Sequence, residues 1–64
     1  MIQTTAIFNI VNERMRILRE GTKEELLQLA TEIGFEDTPN NILQLQINNL
    51  KTRLENLNID WTKL

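Results

Sequence analysis

The chain contains no cysteine and no histidine. Without cysteine there is no disulfide to staple the fold and no thiolate to act as a nucleophile or soft metal ligand. Without histidine the usual general acid–base group at neutral pH is missing. Carboxylates are present, but Glu24-Glu25 and Glu36-Asp37 fall where helices start, and no Asp/Glu cluster has the look of a ligand cage. Gly21 and Gly34 stand singly at helix stops, so there is no glycine-rich phosphate loop. No catalytic residue, cofactor or metal is expected, and the chain reads as a non-enzyme.

Long apolar runs are missing too. The longest, such as Ala6-Ile7-Phe8, span three residues, far short of a membrane-crossing helix. No basic residue precedes the first apolar cluster, and Asn9 and Asn12 interrupt it, unlike a secretory signal. These absences point to the cytoplasm. Neither sign of charge dominates: seven basic and nine acidic residues leave a net charge of −2. Nothing there attracts nucleic acid or an anionic membrane. Asn and Ile, eight of each, are residues of A/T-rich codons, as in many bacterial and phage genomes.

What is present is helical periodicity. Leu43, Ile47, Leu50, Leu54, Leu57, Trp61 and Leu64 recur at spacings of four and three in strict alternation. That is a heptad seam, and a helix carrying it must bury it against something. Read as one helix from Pro39 to Leu64 it would be about 39 Å long. The alternative is a stop at Asn58 with Asp60 capping a final turn; the unbroken spacing favours continuity.

Two shorter helices precede it. The first, after a frayed start over residues 1 to 4, is capped by Thr4 or Thr5 and runs to about Glu20. Ile7, Val11, Met15 and Leu18 form its inner face, widened by Ile10, Ile17 and Phe8. Gly21 ends it in a left-handed conformation, and Arg16 and Arg19 oppose the negative end of its dipole. The second opens on the capping box Thr22-Lys23-Glu24-Glu25 and buries Leu26, Leu27, Leu29, Ala30 and Ile33 on one side. Gly34 closes it, with Phe35 folding back as in a Schellman ending. Thr38 or Asp37 then caps the third helix, with Pro39 at its first position. Ile42 and Leu45 are expected to receive the second helix. At about 24 Å and about 17 Å the first two helices are too short to cover the third.

The stretch Leu29-Ala30-Thr31-Glu32-Ile33-Gly34-Phe35-Glu36-Asp37 carries an Ala, three residues, then Gly-Phe-x-Asp. It resembles the A-x-x-x-G-F-x-D stretch of AraC-type transcription activators over about ten residues. That resemblance implies a helix-turn-helix, with the small Ala allowing close packing and the third helix reading DNA. Yet no basic residue occurs from Asp37 to Leu50 to meet phosphates, although Asn and Gln side chains there could contact bases.

These residues predict a single all-α domain over 1–64, a small three-helix bundle with a long C-terminal helix that oligomerises. Such a small core usually needs a staple, and the covalent and metal kinds are absent. The expected function is protein–protein interaction or regulation. The expected partners are a second copy and another protein, not nucleic acid and not a membrane. Leu50, Leu54, Leu57, Trp61 and Leu64 are the expected interface, with Arg14, set within the first helix's apolar arc, as an anchor. A DNA-binding regulator and a structural assembly component are the alternatives.

Overall fold

The computed structural model describes the backbone from Ile2 to Leu64 and the side chains from Asn9 to Leu64. It is all-helical: α1 (Ile2–Glu20), α2 (Lys23–Ile33), α3 (Asn41–Asn56) and a closing 3₁₀ turn, Trp61–Lys63. The three helices pack as a small bundle around Leu18, Leu26, Leu29, Ala30, Leu50 and Leu54. Fully burying one such leucine contributes about 1.5–3 kcal/mol, so these few side chains supply much of the fold's stability.

α1 is the longest helix, not α3. It begins at Ile2, so Thr4 and Thr5 lie inside it and do not cap it. Leu18 is buried and Val11 and Met15 half-buried; Ile7 and Phe8 lie outside the described side chains. α1 ends at Glu20, but not by a left-handed glycine. The Gly21 amide still donates to the Ile17 carbonyl, at 2.7 Å, and among glycines only Gly34 has positive φ. Glycine is required at 21 for space: a Cβ there would lie 2.5 Å from the Ile17 carbonyl oxygen and 2.8 Å from its Cγ2.

The capping box at the start of α2 forms as its sequence implies. The Glu25 amide donates to the Thr22 hydroxyl at 3.2 Å, and the Thr22 amide to the Glu25 carboxylate at 3.0 Å. α2 closes at Gly34, φ 68, whose amide continues the helical pattern to the Ala30 carbonyl. Its ψ of −162 turns the chain outward into an extended path, so this end is not a Schellman motif.

α3 starts later than the Pro39 signal suggests. Asn40 is the cap, its side chain accepting from the Leu43 amide at 3.1 Å. Thr38 acts one step earlier, its hydroxyl accepting from the Asn40 amide. Gln44 ties this loop to the helix: its Oε1 accepts from the Thr38 amide at 2.7 Å, and its Nε2 donates to Asn48 at 3.0 Å.

α3 also stops earlier than its heptads do. Asn58 takes φ 61, its amide donates to the Glu55 carbonyl, and the Ile59 amide donates to the Leu54 carbonyl at 2.9 Å. This is the Schellman pairing, with Asn in the left-handed position and Ile59 packed on the core that includes Leu54. The long continuous C-terminal helix and its overhang are therefore absent. Asp60 then caps the 3₁₀ turn by accepting from the Thr62 amide at 3.0 Å.

Candidate functional site

The reversal at Asn58 folds the last residues back against α3 and the loop that follows α2. Trp61 meets Phe35 with ring centroids 5.2 Å apart and tilted by 34°. The Lys51 ammonium lies 4.6 Å from the indole centroid, within cation–π range. The indole Nε1 donates to Glu55 at 3.0 Å. Three attachments therefore hold Trp61 inside its own chain, half-buried at the end of the bundle. Among the expected interface residues, Leu50 and Leu54 are fully buried in the core and present no surface to a partner. Leu57 and Leu64 are exposed, at 42% and 62%. The seam is thus divided: its first part is core, and its last part is a folded-back tail.

Leu64 reaches a cleft on one flank of α2. Leu27, Ala30, Ile33, Phe35 and Leu64 give it apolar walls, and its volume is about 910 Å³. Thr31 and Glu36 are its polar side chains, and Glu36 is acidic. No sequence spacing announces this cleft, because Leu64 joins it through the reversal at Asn58. Ile42 and Leu45 do not receive α2. They lie on the outward side of α3, exposed.

A second cleft, of about 450 Å³, opens on the opposite flank of α2, against α1. Arg14, Ile10 and Ile17 line it from α1 and Glu32 from α2. Arg14 forms no ion pair among the described residues, and its Nε is enclosed without an acceptor. Glu32, on the other wall, is likewise in no ion pair. Glu13 also lines the cleft but is taken by Arg16, which bonds it through Nε and Nη2 and reaches Glu25 at 3.4 Å. The Arg16 hydrogen bond holds the Glu13 carboxyl below its usual pKa. The Thr22 amide and then Arg16 do the same for Glu25. Arg16 is pushed up in turn, chiefly by its bond to Glu13. Arg16 thus bridges α1 and α2 instead of facing the carbonyls that end α1.

Comparison with protein-family models, with curated proteins and with solved structures finds no match to this chain. The site must be read from its own chemistry. Among the described residues no group of His, Cys, Asp or Glu could hold a metal ion, and no helix is long and apolar enough to cross a membrane. One further polar group is enclosed: Gln46, 2% exposed, with no partner for its Nε2. An enclosed donor left without an acceptor costs about 1–3 kcal/mol. The stretch resembling AraC-type activators runs from the last turn of α2 into the loop before α3, with Ala30 buried in the core.

Proposed function

We propose that this chain is a non-enzymatic protein-binding module. Its docking surface is the apolar cleft between α2 and the folded-back tail, and its occupant is an amphipathic helix of another protein. The observation that supports this reading is the cleft itself: five apolar walls, Leu64 largely exposed at its rim, and no cation in it. Grooves of this kind take the apolar face of a helix, with successive anchors one turn apart. Glu36 at the edge and the chain's negative charge favour an occupant with a basic flank. Such a module acts by occupying part of a partner's surface, as a regulator or an assembly piece does.

Photo-crosslinking tests the reading. A benzophenone side chain placed at Leu64 should yield a discrete adduct with one cellular protein. The same group at Lys23, exposed at the far end of α2, should not. Thr31→Arg, which sets a charge in the cleft, should abolish the Leu64 adduct while the helical circular dichroism is retained. Identical adducts from both positions, or an adduct indifferent to Thr31→Arg, would refute docking in this cleft.

A further inference from the structure

We infer that the α1–α2 cleft is a self-complementary contact that pairs two copies of this chain about a two-fold axis, with Arg14 of each meeting Glu32 of the other. The inference does not depend on the docking cleft, because the two clefts share no lining residue. Three observations carry it.

The first is charge. Arg14 and Glu32 line one cleft from opposite walls, yet neither forms an ion pair among the described residues. Glu13, the other carboxylate in the cleft, is already engaged by Arg16, so it does not satisfy Arg14. A cation on one wall of a cleft and an anion on the other make a surface that is complementary to itself under a two-fold rotation. Isologous dimers are built on that relationship. A partner of one dominant charge would satisfy only half of it.

The second is apolar surface. Ile10 is 51% exposed and lines the cleft together with Ile17. Pairing would remove Ile10 and its copy from water. The guanidinium is also suited to such a place, since its planar fork meets a carboxylate in two bonds and is weakly hydrated. The enclosed Nε of Arg14 shows that the side chain is already partly withdrawn from solvent before any partner arrives.

The third is size. The chain has 64 residues, no disulfide and a core of few side chains. Association is one of the standard ways in which so small a fold completes its burial.

The test is a charge exchange read by sedimentation equilibrium at the Trp61 absorbance. The unaltered chain should sediment at twice its 7.5 kDa mass, with concentration-dependent dissociation. Arg14→Glu and Glu32→Arg should each shift it to the monomer mass. A mixture of these two variants should return to the dimer mass as a one-to-one heterodimer, because both cross-pairs are then opposite in sign. The doubly substituted chain should dimerise on its own, which decides the matter even where a single variant folds poorly. A wild-type chain monomeric at every concentration would overturn the inference. So would single variants that dimerise like wild type, or a mixture and a double variant that both stay monomeric.

Discussion

Arg53, in the last turn of α3, donates from Nη1 to the Leu18 carbonyl at 2.6 Å and from Nη2 to the Gly21 carbonyl at 3.2 Å. One guanidinium therefore satisfies carbonyls at the end of α1 from a different helix. It also brings the C-terminal ends of α1 and α3 together. The carbonyl end of a helix is its negative end, which a cation stabilises.

Removing that fork should cost more than an ordinary surface change. Hydrogen bonds to a charged group contribute about 1.5–3 kcal/mol, and the acceptors here are partly buried. Arg53→Met, which keeps the aliphatic stem, should lower stability by about that amount in urea unfolding. Arg53→Lys should recover only part of it, because an ammonium cannot present two parallel donors. Arg19→Met, at an exposed position in the same last turn of α1, should change little. Equal losses at 19 and 53 would show that the charge matters and the fork does not.

The sequence made some of these features legible and hid others for a physical reason. The capping box at Thr22 was readable because both partners lie within four residues and the pattern is specific. Three helices were readable because apolar periodicity survives any tertiary arrangement. The Arg53 cap was not, since its partners are 32 and 35 residues away. The late start of α3 was a contest among neighbouring caps, which Asn40 wins over Thr38 and Asp37. The end of α3 was the costliest misreading. Leu57, Trp61 and Leu64 continue a heptad perfectly, yet periodicity states only that side chains are apolar every three or four residues. Asn58, a residue that tolerates the left-handed region, was the available signal for a stop. Of the candidate site, Arg14 was visible as a charge within an apolar arc. The α2–tail cleft was not, because it exists only once the chain has reversed.

That reversal makes Leu54 and Leu57 unequal although one seam contains both. Leu54 is fully buried and Leu57 is 42% exposed. Leu54→Ala should cost about 2–5 kcal/mol. Leu57→Ala should stay within about 0.5 kcal/mol, as a surface change does. Asn58→Gly should be tolerated, whereas Asn58→Val should cost about 1–2 kcal/mol by forcing a branched side chain into positive φ. Similar losses at 54 and 57, with no penalty at 58, would mean that α3 runs straight and its seam is uniformly buried.

Acid should weaken the α1–α2 junction through Arg16. Glu13 and Glu25 both have folded pKa values below their ordinary 4.5. A depressed carboxylate stabilises the fold above its unfolded pKa, and that contribution is lost as pH falls through the folded value. The melting temperature should therefore hold from neutral pH to about 4.5 and then drop as the two carboxylates protonate. Glu25→Gln separates the parts. The amide oxygen can still accept from the Thr22 amide, so the capping box survives, but the attraction to Arg16 is gone. At neutral pH the variant should melt slightly below wild type, and the gap should close in acid, where the wild-type carboxylate is itself neutral. High salt should narrow the neutral-pH gap, because these groups face solvent and their pairing is screened. A gap that stays constant down to the lowest pH would mean that the ionised form of Glu25 contributes nothing beyond the hydrogen bond to Thr22.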